Sequence, residues 1–138
     1  MNENLNKARR ILESGGYTCV LCKEDTVLAD DRRGIRPLLT FYRSDHDLQG
    51  FSAADKVVGK AAAFMYLLLG AEAVYAAIIS TPAKQVLEDG GIAVSYSSEV
   101  SAIRDRTGTN LCPMETAVWD IDDPRTALSA VEEALSKL

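Results

Sequence analysis

Ser52-Ala53-Ala54-Asp55-Lys56-Val57-Val58-Gly59-Lys60-Ala61 is the stretch on which the fold turns. Continued to Leu69 at a period of 3.6 residues, it gives an apolar face of Val58, Ala61, Ala62, Met65 and Leu69, which Val57, Phe64, Leu67 and Leu68 widen most of the way round. The pattern predicts one buried central helix beginning near Ser52. Its polar body residues, Asp55, Lys56 and Lys60, gather beside Gly59 at the N-terminal end. Two lysines four apart repel, and a lysine in a first turn opposes the positive helix end. A buried helix carrying that conflict is expected to meet an anion at its head. The alternative is structural: Ser52-x-x-Asp55 fits a capping box with Ser52 as N-cap, and the lysines are solvated where the helix end is open. Gly59 fits either reading, because glycine inside a helix permits close approach of backbone or ligand.

Working outward toward the N-terminus, Leu5, Ala8, Ile11 and Leu12 recur at helical spacing until Gly15-Gly16 stops them. Residues 17–22 and 26–29 are strand formers around the polar turn Lys23-Glu24-Asp25, a hairpin. A charged loop, Asp30 to Pro37, leads to 38–42, which reads as an extended segment or a short helix, and residues 43–50 form a polar loop.

Toward the C-terminus, residues 73–79 are continuously apolar, as in a strand buried on both faces. Ser80 or Thr81 caps a helix that carries Pro82 at its start and ends at Gly90-Gly91, and a short strand follows over 92–96. Residues 99–106 read as another short helix, 107–110 as a loop, and Cys112-Pro113-Met114-Glu115 as a helix start. The last helix begins at Asp123-Pro124 with a stripe of Ala127, Leu128, Val131, Ala134, Leu135 and Leu138, which packs on the domain or on another subunit. A homo-oligomer is the expected assembly. The order of elements predicts right-handed crossovers and a three-layer α/β/α fold with a mixed sheet, an N-terminal hairpin plus parallel strands, spanning 1–138 as one domain.

The totals bound the function. An apolar fraction of 47% in 138 residues suffices for a genuine core, and a net charge of −5 argues against general binding to nucleic acid or anionic membranes. No signal peptide or membrane-spanning run is visible, and three cysteines without an export signal fit a reducing cytoplasm.

Cys112 is the best nucleophile candidate, since a thiol at a helix N-terminus has its thiolate favoured by the dipole. The alternative is an unreactive small residue that starts a helix. A base is needed; His46, the single histidine, sits in a charged loop, which leaves Lys56, Lys60 or Asp55 as proton partner. Arg106, with Arg104, and Asn110 are placed to join an anion pocket if their segment folds against the central helix. Cys19-Val20-Leu21-Cys22 has the letters of a C-x-x-C motif but sits in a strand, where a spacing of three sends the thiols to opposite faces. No metal site and no cofactor are expected from this chain. Arg32, Arg33 and Arg36 read as a solvated loop.

Gly34-Ile35-x-Pro37-Leu38, Ala54-Asp55-Lys56-Val57-Val58-Gly59-Lys60-Ala61 and Cys112-Pro113-Met114-Glu115 resemble the signature stretches of a bacterial domain-of-unknown-function family with a cytidine-deaminase-like fold. Zinc deaminases place His or Cys, then Glu two residues on, at the second helix and Pro-Cys-x-x-Cys at the third. The corresponding places here hold Ser52-Ala53-Ala54-Asp55 and Thr81-Pro82-Ala83-Lys84-Gln85-Val86, so every ligand is missing and a zinc hydroxide cannot form there. The resemblance implies a reworked site of Asp55, Lys56, Lys60, Cys112 and Glu115 for a small anionic or nucleotide-like molecule.

Overall fold

The computed structural model describes residues 2–138. In chain order the elements are α1 (Glu3–Gly15), β1 (Cys19–Lys23), β2 (Thr26–Asp30), α2 (Arg36–Arg43), β3 (Ser52–Val58), α3 (Lys60–Leu69), β4 (Ala73–Ser80), α4 (Thr81–Asp89), β5 (Ala93–Val100), α5 (Pro113–Val118) and α6 (Pro124–Ser136). The strands form one sheet in the order β2-β1-β3-β4-β5. β1 is antiparallel to both β2 and β3, whereas β3, β4 and β5 run parallel through the crossovers α3 and α4. Helices cover both faces, giving the expected three-layer α/β/α arrangement with a mixed sheet.

The central correction falls on the opening stretch. Residues 52–58 are the middle strand of the sheet, and the helix starts only at Lys60, with Gly59 at its N-cap. A strand between two neighbours and under helices on both faces hides its side chains on both sides, so Ser52 to Asp55 are all buried and no alternation survives to be read. The capping box is absent as well: the Ser52 hydroxyl accepts a hydrogen bond from Asn2 Nδ2 at 2.9 Å. Asp55 and Lys56 are therefore strand residues that project to opposite faces, not members of one helical cluster with Lys60.

Two cores result. On the α1 side Ala8 and Leu12 meet Val20, Cys22, Ala54 and Tyr75. On the other side Leu21, Ala53, Val74 and Ala76 pack under α3, whose residues Ala61 to Tyr66 are all buried. Cys19 joins this second core and Cys22 the first, so the two thiols do lie on opposite faces. α6 lies on α3 and α5 with Ala127 and Val131 buried, so the C-terminal stripe is occupied within the chain, apart from Leu138 at 75% exposure. Residues 38–42 belong to the short helix α2. β5 runs on to Val100, so the helix expected over 99–106 is absent; that segment leaves the strand and closes on itself through an Arg104–Leu111 bridge. Among the described residues no helix is long and apolar enough to cross a membrane.

Candidate functional site

The head of α3 lacks a capping side chain of its own, because its N-cap is Gly59. Free N–H groups at a helix start need acceptors. Glu115, on α5 and 2% exposed, supplies them: Oε2 accepts from Lys60 N at 3.0 Å and Oε1 from Ala61 N at 3.2 Å. Gly59 is required by this approach rather than by its φ of −94°, since a Cβ there would lie 2.3 Å from Glu115 Oε1. Burial raises the Glu115 pKa, and the two backbone N–H bonds and the Lys60 charge oppose the rise. Lys60 Nζ in turn donates to Trp119 O at 2.8 Å, so α5 is held to α3 at both ends. The anion anticipated at the central helix head is thus a side chain of the same molecule.

Asp55 lies deeper. Its Oδ2 accepts from Tyr66 OH at 2.6 Å and its Oδ1 from Val57 N at 3.2 Å. With the tyrosine proton committed to Asp55, the Cys19 thiol, 3.4 Å away, donates to the Tyr66 oxygen. Burial pushes the Asp55 carboxyl from its ordinary 3.8 to about 7, against the pull of the Tyr66 and backbone hydrogen bonds. Burial and the neighbouring Asp55 also hold Cys19 well above the usual thiol range. Lys56, on the opposite face, borders a small depression of about 210 Å³ with Leu12, Glu13 and Tyr75.

The remaining sequence candidates do not converge. Cys112 is the half-buried N-cap of the six-residue α5 and makes no capping hydrogen bond with its side chain. Asn110 and Arg106 are exposed on the loop after β5, where the Asn110 amide reaches Thr109 Oγ1 at 3.5 Å. Among the described residues no group of three or more His, Cys, Asp or Glu side chains is placed to hold a metal ion.

Lys60 does border a cleft, of about 560 Å³, between α3 and α4. Its α3 wall is Lys60, Phe64 and Leu67, one helical stripe, and its α4 wall is Pro82, Gln85, Val86 and Asp89, with Asp122 from the α5–α6 connection beside them. Leu67 closes the far end against Gly90, where a Cβ would lie 2.1 Å from Leu67 Cδ2. Gln85, Asp89 and Asp122 were missed from sequence because only the packing of α3 against α4 and against α5 and α6 brings them to Lys60. The one available signal was Pro82 at the start of its helix.

With this geometry in place, comparison with known proteins gives a family. A model described as a domain of unknown function, DUF1893 (TM1506), matches residues 7–135. The chain belongs to the DUF1893 family. A crystal structure of a DUF1893 family protein, TM1506 from Thermotoga maritima, superposes with a TM-score of 0.86 at 27% identity, covering 100% of this chain and 92% of that one. No curated protein matches the chain. The Gly59–Glu115 approach and the α3–α4 cleft both lie inside the segment that the DUF1893 model spans.

Proposed function

We propose that this DUF1893 protein is a deaminase-like domain without zinc ligands that binds a small nucleotide-like molecule in the cleft between α3 and α4. The observation that carries the reading is Lys60: the first residue of α3 and, among the described residues, the one cation lining the cleft, it shares the cleft with Pro82 at the head of α4. Zinc deaminases hold their metal ligands at the heads of their second and third helices, which correspond in order to α2 and α3, so Lys60 stands at one of these two heads. Because α2 begins at Arg36 and α3 at Lys60, the stretches to compare are Ile35-Arg36-Pro37-Leu38 and Gly59-Lys60-Ala61-Ala62 rather than Ser52–Asp55 and Thr81–Val86, and neither holds a His or Cys.

The chemistry of the walls narrows the ligand. Lys60 keeps ammonium protons beyond the one given to Trp119 O, and these suit one anionic or carbonyl acceptor. Asp89, Asp122 and the Gln85 amide suit amine or hydroxyl donors, and Phe64, Leu67 and Val86 offer apolar contact. A nucleoside or nucleoside monophosphate combines these groups. A polyphosphate would crowd its charge against two carboxylates and Glu115, so the anionic ligand expected here carries little charge. Three free cysteines suit a reducing, cytoplasmic setting.

Thermal unfolding of the whole chain with cytidine, uridine, adenosine and their monophosphates tests the reading, with native mass spectrometry for any co-purifying molecule. A binder at a hundred times its Kd stabilises the fold by about 2.7 kcal/mol. Val86→Trp, which fills the cleft from its rim, abolishes that gain while leaving the free protein folded. The proposal fails if no member of the panel stabilises the protein, or if the filled variant responds as the parent does.

A further inference from the structure

The two edges of the sheet are built differently. β2 has five residues and is bracketed by charge, Lys23-Glu24-Asp25 before it and Asp30-Asp31-Arg32-Arg33 at its end. Short, charged edges resist pairing with other chains. β5 has eight residues, Ala93-Val94-Ser95-Tyr96-Ser97-Ser98-Glu99-Val100, and its one charge, Glu99, is engaged by Lys84 at 3.4 Å. Among the described residues its outer side has no backbone partner, leaving about 27 Å of open strand edge. Tyr96, near its middle, is 39% exposed.

We propose that β5 pairs antiparallel with β5 of a second copy across a two-fold axis at Tyr96, joining two five-stranded sheets into one. Such an axis stands normal to the sheet and keeps each face on its own side, so paired residue numbers must sum to an even total. Centred on Tyr96, Ser95 meets Ser97 of the second copy and Glu99 meets Ala93, with no like charges opposed.

The layer above the strand selects a second copy over any other extended chain. α4 packs on both β4 and β5. The axis therefore sets the two α4 helices about two strand spacings, roughly 10 Å, apart, the separation at which helices pack. They run antiparallel. On α4, Pro82 and Val86 face the α3 cleft, whereas Lys84 reaches over β5 to Glu99 and to Tyr96 OH at 3.2 Å. Glu88, one helical turn beyond Lys84, shares that side and is exposed. The antiparallel pair sets Lys84 of each copy against Glu88 of the other, twice, and a lone peptide strand offers no such match.

Charge exchange tests this in the whole chain. The parent sediments as a dimer. Lys84→Glu and Glu88→Lys, each checked for an unaltered circular dichroism spectrum, dimerise more weakly by about tenfold or more because like charges now meet. An equimolar mixture of the two variants restores both pairs and gives a heterodimer in native mass spectrometry. A monomeric parent, single variants that dimerise like the parent, or a mixture that stays unpaired would each overturn the proposal.

Discussion

Asp55 and Glu115 are both buried carboxylates with all their hydrogen bonds made inside the molecule, yet their partners differ in kind. Glu115 sits on the N-terminal N–H groups of α3, where the helix dipole and Lys60 favour negative charge. Asp55 sits in the sheet against one tyrosine hydroxyl and one strand N–H, with a thiol as the next group out. Burial raises both pKa values, and Asp55 is carried to about 7. A carboxylate can be buried for structure when a helix end receives it. Without one it titrates near neutrality.

The largest expected effect breaks the comparison on the Asp55 side. Because the folded pKa lies above the ordinary 3.8, the stability that Asp55 contributes is full below that value and is lost as pH rises to about 7. The loss is on the order of 4 kcal/mol over that window. Asp55→Asn cannot ionise, so its stability relative to the parent improves with rising pH in urea unfolding followed from acid to pH 8. Parallel pH profiles for the two proteins would count against a raised Asp55. Next, Glu115→Ala leaves two buried N–H groups at the head of α3 without acceptors and costs about 3 kcal/mol at neutral pH. A cost near zero would mean that water replaces the carboxylate. The smallest, about 2 kcal/mol, is Gly59→Ala, whose methyl group must displace Glu115. Combined with Glu115→Ala its cost falls to what shifting Ile103, 3.1 Å from that Cβ, requires, a non-additivity that denaturant midpoints resolve.

Elements with a clear period were legible in the sequence. α1 follows from Leu5, Ala8 and Leu12 stopped by glycine, β4 from its apolar run, and α4 from Ser80, whose hydroxyl does cap it by accepting from Ala83 N at 3.2 Å. β3 was not legible: Ala53, Ala54, Asp55 and Lys56 are poor strand formers, and only the sheet around them imposes the extended form. Gly59 was the true boundary, though its reason, the Glu115 carboxylate, lies more than fifty residues away. Glu115 was singled out from sequence as a ligand contact, but its partners are the chain's own N–H groups. The cleft was half legible, through Lys60 and Pro82, because helix-to-helix register is not written in either helix alone.

The Glu115 contact also orders events in time. α3 bridges the two central strands, but its cap arrives from a residue more than fifty positions later. On the ribosome the sheet can begin to pair while that helix start is still bare. Synthesis of α5 then closes the loop, and a segment made well after α3 completes the first turn of that helix.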